Sequence, residues 1–272
     1  VVIDVRASFY QKSIYLSSCI ARARICTPRC AACGCQYSAT LHTPRDPADK
    51  PGAWHSASSR QDKLIMTLLN YQHGGYFVDL AANMPILGSN TRALERDFGW
   101  RGVCIEADPE HRLALLEERS CVVVGAAISD VPRTVGFAHR GHLGLGGLVL
   151  PGTVNQNHTR GVTRVHTVAL GQVLGEVGAP ATLDYLSLDV EGAEDIVMRS
   201  FPFAAYTVRT MTIERPSEAL KYMLTSRGYR FLCGGNTGAL LRLSLWLPIT
   251  DLVPSLVRRR VLGTRKDDAA GA

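Results

Sequence analysis

The chain is expected to fold as a mixed α/β protein, a doubly wound and mostly parallel sheet closed by an antiparallel C-terminal hairpin. Three observations carry this. Short apolar runs alternate with helical periods from residue 76 onward, the pattern of strands and covering helices in a parallel sheet. Several of those runs end in an acid: Asp79, Glu106 and Asp189. Near the C terminus, two apolar runs flank the turn-forming stretch "GGNTG".

The elements follow in order. "SSRQDKLIMTLLN" has helical spacing, with Ile65, Leu68 and Leu69 on one face. A strand is predicted over Tyr76–Leu80, a helix near Ser89–Asp97 and a second strand over Val103–Glu106. Pro109, whose missing N–H suits a first helical turn, opens a helix to Glu118, and a strand follows over Cys121–Val124. Residues 133–166 interrupt the alternation. "HRGHLGLGGLVLPG" is Gly-rich and poor in charge, and reads as a loop or hairpin insertion. Regularity returns with "VHTVALGQVLGEVG", a strand over Leu183–Leu188, a helix from about Ala193, a strand over Val208–Ile213 and a helix from Ser217 to Arg227. The closing pair is placed at Tyr229–Cys233 and Ala239–Leu243.

Composition bounds the organisation. The chain has 272 residues, 46% of them hydrophobic, and a formal net charge of +6. Residues 1–60 hold 8 Lys/Arg against 3 Asp/Glu, and residues 251–272 hold 5 against 3. The basic excess therefore lies in the flanks, and the body is near neutral. A nucleic-acid enzyme carries its basic stripe across the body, so no nucleic-acid partner is expected. No apolar run approaches the roughly 18 residues of a membrane helix. Residues 1–58 read as a Cys-rich, poorly ordered extension, 59–247 as the folded domain and 248–272 as a basic tail. "CTPRCAACGC" in the extension could form disulfides or hold zinc, but no second ligand pair stands at a defined distance. Cys104, Cys121 and Cys233 fall in apolar runs and are read as core thiols. Residues 1–25 lack the layout of a signal peptide, and the compartment stays open between cytoplasm and secretory pathway.

The chemistry gathers at the strand ends, where open α/β sheets bind their ligands. Asp79 closes the first strand and Glu106 the second. An acid at the end of the second strand is placed to accept hydrogen bonds from two ribose hydroxyls. The loop after the first strand is Ala81-Ala82-Asn83-Met84-Pro85, with none of the glycines of a phosphate cradle. A phosphate-free cofactor fits such a loop better than NAD or FAD. In "LDYLSLDVEGAED", Asp189, Glu191 and Glu194 crowd one strand end and helix start. Such acids repel unless a cation, a donor or a proton separates them. A functional site explains them better than helix capping, and no metal is demanded by the pattern.

These blocks, taken together, resemble the FkbM-type methyltransferases that use S-adenosylmethionine (SAM). The resemblance runs from about Ser58 to Leu245. "FVDLAAN" is similar to the family's first motif, Val-Asp-Val-Gly-Ala-Asn-x-Gly. "SNTRALERDFGWRGVCIEADPE", "GAAISD" and "LDYLSLDVEGAE" follow in the family's order. The resemblance implies a class I methyltransferase-like sheet and SAM as cofactor. It places Asp79, Ala81 and Asn83 along the methionine part, Glu106 at the ribose, and Ala127 and Ser129 near the adenine. Asp189 and Glu191 face the acceptor as the catalytic pair. The acceptor implied is a small molecule or glycan, with methylation at a sugar or natural-product hydroxyl. In-line transfer needs alignment and a dry site, and Asp189 is the favoured base, with a histidine of the insertion second. Ala81 stands where the family has Gly, which a negative φ would tolerate, and Pro85 replaces a second Gly. "GWRGVCIEADP" also resembles a Star-type branch linked to secretory-pathway cargo, whose members would keep the fold without the chemistry.

Overall fold

The computed structural model describes residues 61–140, 146–234 and 243–248. The proposed N-terminal extension with its five clustered cysteines, His142 and the basic tail beyond Pro248 lie outside the described residues.

Helix α1 (Gln61–Leu68) leads into β1 (Tyr76–Leu80), α2 (Arg92–Phe98), β2 (Arg101–Ile105), α3 (Pro109–Glu118) and β3 (Val122–Val124). The chain continues through β4 (Ala127–Ile128), β5 (Thr134–Ala138), β6 (Gly147–Val149), β7 (Val162–Val168) and α4 (Leu170–Glu176). It then runs through β8 (Thr182–Leu183), β9 (Tyr185–Leu188), α5 (Glu194–Arg199), β10 (Thr207–Val208), β11 (Met211–Glu214), α6 (Glu218–Ser226), β12 (Tyr229–Gly234) and β13 (Leu243–Pro248). No helix among the described residues is long and apolar enough to cross a membrane.

The main sheet has seven strands in the order β12-β13-β11-β9-β1-β2-β3. Strands β3, β2, β1, β9 and β11 run parallel, and β13 runs antiparallel between β11 and β12. This is the class I methyltransferase-like sheet, with its reversed strand one place in from the edge. The chain leaves β1 toward β2 and β3, then crosses to β9 on the other side. The crevice at the carboxyl ends of β1 and β9 is thus the topological switch point, where doubly wound sheets hold their ligands.

Alternation along β1 divides the core. Val78 and Leu80 pack with Ile105, Leu186 and Ile213 beneath α4, α5 and α6. Phe77 packs with Cys104, Tyr185 and Leu245 against α1 and α2. The starts of α3 and α6 are fixed locally. The Asp108 carboxylate accepts the Glu110 N–H at 2.9 Å to start α3, and the Ser217 hydroxyl oxygen accepts the Leu220 N–H at 3.1 Å to start α6. Such caps contribute about 1 kcal/mol each.

Three expectations change. The interruption at 133–166 is a second sheet, ordered β4-β7-β5-β6, with β5 pairing antiparallel to both β6 and β7. The closing hairpin pairs Tyr229 with Pro248, so its second strand is Leu243–Pro248, not Ala239–Leu243. Ser244 to Leu247 are buried between β11 and β12, and it is this burial that selects the later register. Finally, the runs read as Leu183–Leu188 and Val208–Ile213 each break in two. Thr182–Leu183 and Thr207–Val208 form a separate parallel pair. Of the thiols read as core, Cys104 is buried and Cys121 half-buried.

Candidate functional site

An open cleft of about 660 Å³ lies across the carboxyl ends of β1, β2 and β4, roofed by β5 and β6. One wall is apolar, with Ile105, Ala127, Ile128, Phe137 and Leu148. The opposite end is made by Ala81, Asn83 and Glu106.

Glu106 follows directly on β2, so the sheet itself aims its side chain across the switch point. It is buried, and its carboxylate is clamped at both oxygens. The N–H of Asn83 donates to Oε2 at 2.9 Å and the N–H of Asp108 to Oε1 at 2.8 Å. Each oxygen keeps a second lone pair. Burial pushes the Glu106 carboxyl above its ordinary range, while the two amides pull it back. The loop that delivers the Asn83 amide is strained. Ala81 and Asn83 have φ of 56° and 54°, in the left-handed region. Asn adopts it readily, whereas Ala pays about 1–2 kcal/mol. The negative φ that would tolerate an alanine is therefore not met at Ala81, which occupies a conformation made for Gly. The side-chain Oδ1 of Asn83 is buried without a partner, as is that of Asn90.

At the ends of β9 and β11 the acids meet. Asp189, Glu194 and Glu214 each bring one oxygen within 4.8 Å of the others. Glu214 and Arg215 were not singled out in the sequence, because they sit on a strand 25 residues beyond Asp189 that only the β9–β11 pairing brings alongside. Arg215 Nη2 donates to Glu191 Oε2 at 2.8 Å and to Glu214 Oε2 at 3.0 Å. Glu191 and Arg215 also take left-handed φ values of 54° and 49°. Left-handed residues at three strand ends concentrate strain where ligands bind, a pattern found at functional sites. Glu194 Oε1 accepts the N–H groups of Val190 and Gly192 at 3.1 and 3.2 Å. Loop capping thus accounts for one of the acids, contrary to the expectation that a site explained all three. Burial raises Glu194 to about 7. Asp189 is raised well above its ordinary range by burial and by its contact with Glu214.

The insertion seats on this acid loop. Val154 N–H donates to the Glu191 carbonyl at 3.2 Å. Gly192 has φ of 94°, and a Cβ there would meet the Val154 nitrogen at 2.8 Å, so only Gly allows the approach.

With this geometry in view, the comparisons with known proteins decide the family. A family model described as "Methyltransferase FkbM domain" matches residues 79–231, more than half of the chain. The chain belongs to the FkbM methyltransferase family. No curated protein matches the sequence. A solved structure described as a methyltransferase from Pyrococcus furiosus aligns over 86% of this chain and 97% of its own, at 12% identity and a TM-score of 0.32. A likeness at that level carries no argument. The Star-type branch finds no support in these matches.

Within the FkbM domain, the residues expected at the site divide into three groups. Ala81, Asn83, Glu106 and Ala127 line the cleft. Asp189 and Glu191 flank Val190, which lines it with Ala193, but do not line it themselves. Asp79 and Ser129 lie beneath the surface. The Asp79 carboxylate, raised by burial, accepts the Thr91 hydroxyl at 2.7 Å, and Thr91 in turn accepts from Arg119. Arg119 also donates to Glu95 at 2.7 Å, a pair with side-chain exposures of 0% and 5%. Asp79 therefore anchors the loop from below. Ser129 is fully buried, donates to Asp130 and accepts from Arg133, and does not line the cleft. Of the insertion histidines, His139 has both ring nitrogens engaged, by Asp108 and Thr163 at 2.7 Å each, and does not line the cleft.

Proposed function

We propose that this FkbM domain binds SAM in the cleft and transfers its methyl group to a hydroxyl of a small-molecule or glycan acceptor. The observation that carries the reading is the Glu106 clamp. Its carboxylate is held by two backbone amides at the end of β2, with lone pairs left over for a pair of neighbouring hydroxyls. The rest of the cleft fits the same ligand. The apolar wall of Ile105, Ile128, Phe137 and Leu148 suits a flat heterocycle. The orphaned acceptor oxygen of Asn83, which lines the cleft, suits an ammonium donor. The loop carries no phosphate cradle, and this ligand needs none.

When bound, SAM supplies an activated methyl group on a sulfonium. The protein's part is alignment and the exclusion of water, which are worth several kcal/mol in such transfers. Asp189, next to the cleft-lining Val190, is the base of this reading, taking the acceptor proton. Glu191 is tied to Arg215 instead.

Titration calorimetry with SAM tests the reading. Wild-type protein is expected to bind. Glu106→Ala should weaken binding by about 1.5–3 kcal/mol, the worth of hydrogen bonds to a charged group. Absence of heat at millimolar SAM, with a folded protein, would reject it.

A further inference from the structure

The roof of the cleft carries a charge that the fold does not use. Of the cleft-lining residues on and beside β5 and β6, Phe137, Gly146, Gly147 and Leu148 have no polar side-chain atom, and Arg140 is the exception. It follows β5 by two residues and is exposed. Among the described residues its guanidinium has no ion pair and no hydrogen bond. His111, in the first turn of α3, lines the same cleft and is likewise without an ion pair among those residues. The contact between His139 and Asp108 at 2.7 Å ties the end of β5 to the start of α3, and so holds Arg140 and His111 to one cavity.

The two acids that line this cavity are already engaged. Glu106 accepts two backbone amides. Asp108 takes the Glu110 N–H on Oδ1 and His139 on Oδ2. Neither neutralises Arg140, so the wall holds a cation with no counter-ion of its own.

We propose that Arg140 is a specificity residue for the methyl acceptor, and that the acceptor is a small hydroxylated molecule or glycan bearing an oxyanion, a carboxylate or a phosphate, with His111 as a second donor. A guanidinium presents paired N–H donors in a fixed fork that matches either group edge to edge. In a largely apolar pocket, one such group decides which ligand enters and which way round it lies. The amino-acid end of SAM is assigned to the loop after β1, which leaves Arg140 for the acceptor. The inference rests on the transferase reading for the acceptor's role, but anion binding can be measured without any methyl transfer.

The test is NMR of the full chain at low ionic strength, where charge is least screened. The Nε–Hε signal of Arg140, assigned by its loss in Arg140→Gln, is followed through titrations with glucose, glucuronate and glucose 6-phosphate. At least one of the two anions is expected to shift it saturably at millimolar concentration, and glucose to leave it unmoved. Which anion binds tells a carboxylate acceptor from a phosphate one. In calorimetry, Arg140→Gln should bind that anion about tenfold or more weakly, the worth of a charged hydrogen bond, and should keep wild-type SAM affinity. Arg112→Gln removes the same charge from a residue that does not line the cleft, and should leave anion binding intact. No saturable shift with either anion, equal binding of glucose, or an equal loss in Arg112→Gln would overturn the proposal. So would a tenfold loss of SAM affinity in Arg140→Gln, since the guanidinium would then serve the cofactor's carboxylate. Anion binding that depends on Arg140 in a protein that does not bind SAM would sink the transferase reading and leave the anion site standing.

Discussion

Replacing Ala81 with Gly should stabilise this protein, although it removes a methyl group. Ala81 sits at φ 56° and is solvent-exposed, so its Cβ costs left-handed strain and returns little packing. The strain is about 1–2 kcal/mol. Glycine gives back about 0.4–1 kcal/mol through the greater freedom of its unfolded chain. The net gain is then about 0.7 kcal/mol, or roughly 2 °C in Tm for a domain of this size. Thermal and urea melts of Ala81→Gly measure it, with SAM calorimetry expected to show equal or tighter binding. The neighbour supplies the control. Ala82 is buried and has no positive φ, so Ala82→Gly should cost about 1 kcal/mol. If both variants lose stability, the left-handed geometry at position 81 is not a cost and the reasoning fails.

Three further outcomes are expected. Ser129→Ala should leave SAM affinity unchanged while lowering stability by about 1 kcal/mol through its lost hydrogen bonds. A tenfold loss of affinity in calorimetry would return Ser129 to the cofactor site. Glu95→Gln should cost about 3–5 kcal/mol in urea unfolding, because it strands the buried Arg119 charge. The double variant with Arg119→Met should lose less than the two singles summed. Glu194 is raised from 4.5 to about 7, so the folded chain holds that proton more tightly than the unfolded chain. Its contribution is complete below pH 4.5 and is lost as pH rises through 7. Glu194→Gln keeps an oxygen for the Val190 and Gly192 amides and should flatten this fall in a pH series of melts. An unchanged slope would place the titration elsewhere.

What could be read from sequence was what local chemistry decides. The bounds of α3 follow from Asp108 and Pro109, and the start of α6 from Ser217, because a cap acts within one helical turn. Strand β1 and the acids at the ends of β1, β2 and β9 were legible for the same reason: apolar run, then charge. The order of blocks was specific enough to point to the FkbM family before any contact was known. The tertiary structure decided the rest. Whether Ser129 faces the cleft or the protein beneath depends on which way a two-residue strand is turned by its pairing with β7, and no local pattern records that. The sign of φ at Ala81 is imposed by the clamp between the Asn83 amide and Glu106, 23 residues apart. The register of the last strand was set by burial against two neighbours. Glu214 looked like one more acid until β11 was laid beside β9. Residues far apart in sequence interact only once the sheet is ordered, and the meeting of Asp189 with Glu214 is fixed by that order alone.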